Sequence, residues 1–128
     1  MIVGTEWLIE ATGCNAEVLR DEDAIRDIMS RVIRDLGLSS IGSVWHKFGG
    51  EGGVTGLIAL TESHLACHTY PEYGTATFNL YCCRTRPEWD WDDELRETLM
   101  AANVTVTKIE RGDSGNENVK FETAGGDR

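Results

Sequence analysis

The chain has 128 residues, 41% of them hydrophobic and 27% charged, a composition that suits one soluble domain with a single core. Its net charge of −10 argues against nucleic acid as a partner, because phosphate binding needs clustered Lys and Arg. No apolar run reaches the length of a membrane span, and Met1–Glu10 carries two acids and no basic residue, unlike a secretory leader, so a cytoplasmic protein is expected.

In that compartment Cys14, Cys67, Cys82 and Cys83 read as reduced thiols. Their spacing matches no CxxC zinc pattern, and no metal is expected. Along the chain, Glu6–Thr12 reads as a strand ending at Gly13, with Trp7 and Ile9 alternating against Leu8. Asn15–Leu19 is a turn or short helical piece. Asp21 is a good N-cap for a helix whose apolar stripe is Ile25, Ile28, Met29, Val32, Ile33 and Leu36, with Gly37 as its stop. Ser43–Phe48 is a second strand, closed by the glycine-rich loop 49–53. That loop lacks the Lys-Ser/Thr of a phosphate loop and precedes a strand, so it is expected to be a hairpin connection. Val54–Leu60 is a third strand, and His64–Tyr70 extends it or forms another.

Pro71–Gly74 turns the chain into Thr75–Cys83, the clearest strand in the sequence. Its parity puts Ala76, Phe78, Leu80 and Cys82 on a core face and Thr77, Asn79, Tyr81 and Cys83 on a polar one. Of the two neighbouring thiols, Cys82 is therefore packing and Cys83 is available to a site. A second helix is predicted from Trp91 to Ala102, capped by Asp90, and a last strand over Val104–Glu110. Residues 113–128 form a polar, glycine-rich tail expected to be disordered. The predicted fold is α+β: a two-layer sandwich of a largely antiparallel sheet with two helices on one face, in a single domain over 1–112. The polar second face suggests pairing with another copy, through the sheets or their edges.

The densest chemistry lies in Leu60–Gly74, which holds Glu62, Ser63, His64, Cys67, His68 and Glu72. His64 and His68 share a face of an extended segment, but a metal pair with Glu62 or Glu72 lacks a third histidine nearby. A serine hydrolase is opposed by the missing Gly-x-Ser-x-Gly elbow around Ser63.

Glu62-Ser63-His64 followed by His68-Thr69-Tyr70-Pro71-Glu72-Tyr73-Gly74 resembles the self-cleavage site of the prokaryotic-type, pyruvoyl-dependent S-adenosylmethionine decarboxylases. The resemblance spans Gly4 to about Gly112 and includes Gly13-Cys14, His46-Lys47-Phe48, Gly53-Val54-Thr55-Gly56 and Cys83. It implies self-cleavage between Glu62 and Ser63, giving a β chain of residues 1–62 and an α chain of residues 63–128 capped by a covalent pyruvoyl group derived from Ser63. It implies His68 as the base of that processing, with Thr55 where the family usually has a serine, and Cys83 as the acid that reprotonates the substrate carbon. It further implies Phe48 stacking on adenine, Glu72 holding the ribose hydroxyls, and Glu10 as a further acid near the site. The product would feed spermidine synthesis, and the implied assembly is a homodimer with shared sites. Tyr70, Asn79 and Arg84 depart from the usual tryptophan, aspartate and glycine, and the loop 49–53 is one residue longer. These departures keep arginine or ornithine as alternative substrates, and an unprocessed, non-catalytic homologue as an alternative class.

Overall fold

The computed structural model describes residues 1–84 and 86–112, so the tail 113–128 lies outside the described residues. In chain order the elements are β1 (Ile2–Thr12), α1 (Ala16–Leu19), α2 (Glu22–Asp35), β2 (Ser40–Lys47), β3 (Val54–Leu60), β4 (Ser63–Tyr70), β5 (Thr75–Cys82), α3 (Trp91–Thr98) and β6 (Asn103–Gly112). Among the described residues the strands form one six-stranded sheet, ordered β2-β3-β4-β5-β1-β6, with every pairing antiparallel. This is the α+β architecture expected from the sequence.

The local reasons are those the residues supply. In β1, Trp7, Ile9 and Ala11 are buried while Leu8 between them is exposed. Asp21 caps α2 by accepting from the amides of Asp23 (3.0 Å) and Ala24 (3.3 Å). Ile25, Ile28, Met29, Val32 and Leu36 then bury one stripe against the sheet, each apolar side chain contributing about 1.5–3 kcal/mol of transfer free energy. The helix ends where Gly37 takes φ +65° and the Leu38 amide returns to the Ile33 carbonyl (2.9 Å).

The three largest boundary differences from the sequence reading arise because a neighbouring element decides each end. β1 begins at Ile2 rather than Glu6, since β6 continues beside it to Gly112. β2 begins at Ser40 rather than Ser43, pairing along β3 as far as Leu60. α3 stops at Thr98 instead of Ala102: Met100 turns at φ 58°, and the Ala102 amide donates to the Thr12 carbonyl (2.8 Å), which draws the chain into the sheet. The return from β5 to α3 is docked by Trp89, whose Nε1 donates to Asp35 Oδ2 (3.0 Å), and by the Trp89–Trp91 edge contact.

Side chains of one parity point to the helices and those of the other to a bare face. On that bare face β3 presents Leu57, 47% exposed, and the edge strand β2 presents Val44, 66% exposed. The register aligns His46, Thr55, His68, Thr77, Glu10 and Thr105 in one row across all six strands of this face. On the opposite side of β4, Thr69 is a buried polar residue that the sequence reading passed over. Its hydroxyl accepts from the Val54 amide (2.8 Å) and donates to the Leu19 carbonyl (2.7 Å), pinning β4 to β3 and to α1 at once. Thr69→Val keeps the shape but leaves both backbone groups buried and unpaired. It is expected to destabilise the protein by about 1–3 kcal/mol, read as a lower urea midpoint at unchanged slope.

Candidate active site

The chemistry-bearing residues fall into two groups at opposite ends of β4. The first surrounds the turn Thr61–Glu62, which joins β3 to β4 and is held by the Thr61 amide on the Ser39 carbonyl (3.0 Å). Ser63 opens β4 directly opposite Cys82 of β5, so the two side chains share the helix-facing side, where the Ser63 hydroxyl hydrogen-bonds the Cys82 thiol. Burial pushes the Cys82 thiol above its usual range, and Ser63 offsets part of that rise. Cys83, one residue past the strand, has the opposite parity and is exposed, as predicted. Its Sγ donates to the carbonyl oxygen of Glu62 at 2.6 Å.

The Glu62 side chain is gripped by the next residue. Arg84 Nε contacts Glu62 Oε1, and its Nη2 donates to Oε2 at 3.1 Å, a two-pronged pair. The guanidinium holds the Glu62 carboxyl below the usual carboxylate range. Beside these residues is a cavity of about 30 Å³ bordered by Ser63, Cys83 and Arg86, room for about one water.

The second group lies toward the other end of β4. His68 Nδ1 and Thr55 Oγ1 share a hydrogen bond of 3.1 Å across the β3–β4 pair, on the bare face. They line an open cavity of about 570 Å³ together with Phe48, Gly52, Gly53, Thr69, Tyr70 and Glu72. Phe48 is half exposed and meets the His46 ring edge-on at 4.5 Å. The glycine loop is a hairpin connection, with Lys47 Nζ donating to the Gly52 carbonyl (2.9 Å). Gly53 is required by close approach: a Cβ there would sit 2.1 Å from the Thr69 carbonyl oxygen. Glu72 stands exposed in the 3₁₀ turn Pro71–Tyr73.

Within one chain, then, Thr55, His68, Phe48 and Glu72 come together, as do Glu62, Ser63 and Cys83. The two sets stay apart: Ser63 and His68 are five residues apart on one strand, about 17 Å at strand rise, with side chains on opposite faces. Glu10 lies in the His68 row on the bare face, two strands away, and borders neither cavity. His64 is engaged elsewhere, its Nε2 2.8 Å from Asn79 Oδ1, while Asn79 Nδ2 donates to Glu6 Oε2 at 2.7 Å. The two histidines four apart thus serve different partners. Among the described residues no three His, Cys, Asp or Glu side chains converge as metal ligands.

The family model described as S-adenosylmethionine decarboxylase matches residues 5–112. The chain belongs to the S-adenosylmethionine decarboxylase family. A relative from Moorella thermoacetica, named S-adenosylmethionine decarboxylase proenzyme, is 38% identical over 111 residues, 86% of this chain and 88% of its own. One from Syntrophomonas wolfei with the same name is 35% identical over 111 residues, with 86% and 87% covered. The crystal structure of the adenosylmethionine decarboxylase from Aquifex aeolicus superposes with a TM-score of 0.75 at 26% identity, covering 93% of this chain and 98% of that one. Members of this family are carboxy-lyases. No helix among the described residues is long and apolar enough to cross a membrane.

Sequence reasoning identified Cys83 over Cys82 from parity alone. It gave no reason to place Arg86 beside Ser63 and Cys83, because that position depends on the path after β5. Reactivity separates the thiols. Burial holds Cys67 well above the usual thiol range and lifts Cys14 to about 11. Because the thiolate is the nucleophile, iodoacetamide at pH 8 is expected to label Cys83 first, and Cys67 and Cys82 only after denaturation. Peptide mass mapping reads the order.

Proposed function

We propose that this chain is a proenzyme that cuts itself between Glu62 and Ser63 and then decarboxylates S-adenosylmethionine, each site being built from two copies of the chain. The observation that carries this reading is the Cys83 thiol donating to the Glu62 carbonyl at the residue preceding Ser63.

Ser63 Oγ attacks the carbonyl carbon of Glu62, the C–N bond breaks, and an ester with a free Ser63 amine results. The attack is within one residue pair, so no bimolecular encounter is needed. Negative charge develops on the Glu62 oxygen, where Cys83 Sγ already points its proton. Removal of the Ser63 α-proton then expels the Glu62 carboxylate, with the serine oxygen leaving on it. The dehydroalanine left at 63 tautomerises to an imine, and water displaces ammonia to leave a pyruvoyl group. The residues suit that group: Ser63 supplies its carbons, and the adjoining cavity matches the single water consumed last. A pyruvoyl group at position 63 would supply an electrophilic carbonyl, the chemistry that a decarboxylation of an amino-acid substrate needs. Cys83 Sγ is placed beside residue 63 to return a proton to the substrate carbon.

The base for the elimination is His68, oriented by Thr55, and it comes from a second copy. Stacking two bare sheet faces about a two-fold axis that lies between them and across the strands brings the Ser63 end of one β4 over the His68 row of the other. The exposed apolar residues Leu8, Val44 and Leu57 support such burial, since the solvated face of an antiparallel sheet is ordinarily polar and exposed apolar residues on it mark an interaction surface. Phe48 and Tyr70 offer ring faces to a purine and a sulfonium cation, and Glu72 offers a carboxylate to vicinal ribose hydroxyls. Glu10 adds an acid to the same face. The names of the relatives favour S-adenosylmethionine over arginine, ornithine or a non-catalytic role. Decarboxylated S-adenosylmethionine is the aminopropyl donor for spermidine, and the cytoplasm is the proposed location.

Three experiments test this reading. Denatured mass spectrometry of the purified protein is expected to give fragments 1–62 and 63–128, with Ser63→Ala giving one uncut chain. Ser63→Ala and His68→Ala proteins are each expected to stay uncut, whereas co-expression restores cutting of the His68→Ala chain by the partner's His68. Failure to restore it rules out a shared site. In the processed enzyme, Cys83→Ala is expected to lower turnover by about 100-fold, while Cys82→Ala acts on thermal stability; equal turnover loss at unchanged stability would contradict the assignment.

A further inference from the structure

We propose that Arg84 is a positioning residue for self-cleavage: it clamps the Glu62 side chain so that the scissile carbonyl stays on the Cys83 thiol, and it retains that end of the chain after cutting. The inference rests on the processing reading above. It assigns a role to a residue that stands where the family pattern has a glycine, which no resemblance supplies.

Glu62 lies in a two-residue turn with its side chain exposed, so nothing in the core fixes it. Two consecutive residues of one segment hold it instead. Cys83 binds its backbone carbonyl at 2.6 Å and Arg84 binds both carboxylate oxygens, with Nη2–Oε2 at 3.1 Å. A residue tethered through backbone and side chain to the same strand end has little freedom to rotate its carbonyl away from the thiol. Glycine at 84 would remove one of the two tethers.

Charge gives a second reason. The oxyanion of the acyl shift forms on the residue that carries the Glu62 carboxylate, and an unpaired carboxylate so close would oppose it. Arg84 neutralises that carboxylate, whose acidity is strengthened accordingly. Arg86 borders the same cavity, its positive charge also felt by Glu62, and its Nε is buried without a partner among the described residues. Before cutting, two guanidinium groups face one carboxylate. After cutting, Glu62 ends its chain and carries a second carboxylate, while the pyruvoyl end carries no charge. The pair of arginines therefore matches the charge of the cut product better than that of the precursor. An exposed ion pair contributes little to stability, so the effect belongs in the cutting rate rather than in the melting temperature.

The test follows cutting of newly translated full-length chain by denatured mass spectrometry, for wild type, Arg84→Gly, Arg84→Lys and Glu62→Gln, and for the Glu62→Gln/Arg84→Gly pair. Arg84→Gly is expected to cut about threefold to tenfold more slowly, and Arg84→Lys to recover much of the rate through its charge. In the Arg84→Gly background Glu62→Gln should slow cutting no further and should recover part of the rate, because the tether is already lost and the substitution removes the unpaired carboxylate. In the cut protein, hydrogen exchange at residues 60–62 should be faster in Arg84→Gly than in wild type. A wild type that is cut, with Arg84→Gly cut equally fast, overturns the clamp alone. A wild type that stays uncut overturns the processing reading and the clamp with it. Strict additivity of the two substitutions also overturns the clamp, and an unchanged melting temperature in the Ser63→Ala background separates slow cutting from poor folding.

Discussion

The pairing of β4 with β3 on one side and β5 on the other governs where every reactive group lies. It sets His68 opposite Thr55 and Thr77, and Ser63 opposite Cys82. Since side chains alternate along a strand, the five-residue offset between Ser63 and His68 sends them to different faces and different ends. A slip of one residue would exchange the faces, burying His68 and exposing Leu65 and Cys67, at a cost the core could not bear. The buried Thr69 hydroxyl, bonded to β3 and to α1, helps to hold that register where the larger cavity opens. The core thus dictates the division of the site into halves.

Under the proposed dimer, that division would give the bare face of the sheet a role. Helices α2 and α3 cover one side only, tied together by the Arg31–Glu94 ion pair. On the other side Leu8, Val44 and Leu57 alternate with a polar network running from Arg111 through Glu6 and Asn79 to His64. A face of this mixed character is too apolar for plain solvent and too polar for a helix layer. A second sheet carrying the same pattern in the opposite direction would satisfy both parts. Dimerisation and catalysis would then share one geometric requirement, the return of His68 to the neighbourhood of a Ser63.

The first half of the site is made from backbone as much as from side chains. The peptide carbonyl of Glu62 is held by a thiol, and its side chain by a guanidinium, both from residues that follow β5. Neither contact is deeply buried, which would suit the proposed self-cleavage, where the bond has to be reached, broken and left with a new charged end. The docking of Trp89 on Asp35 fixes the path that the chain takes after these residues.

Much of this was legible in the sequence because it depends on short-range pattern. The apolar stripe of α2, its Asp21 cap and Gly37 stop, the alternation in β1 and β5, and the choice of Cys83 over Cys82 all follow from periods of 3.6 and 2 residues. The family was legible as a resemblance, since Glu62, Ser63, His68 and Cys83 stand at its characteristic separations. Strand ends were not legible where a distant partner sets them: β1 reaches Ile2 because β6 runs beside it, and α3 is cut short because Thr12 captures the Ala102 amide. Nor was the separation of Ser63 from His68 emphasised by a stretch that crowds them into a few positions. The sequence by itself determined which residues face the core and which groups are available for chemistry, because burial and parity are local. Only the tertiary structure decided which of those groups meet, because register is set by the joint burial of six strands, and that joined Arg84 to Glu62 while parting Ser63 from His68.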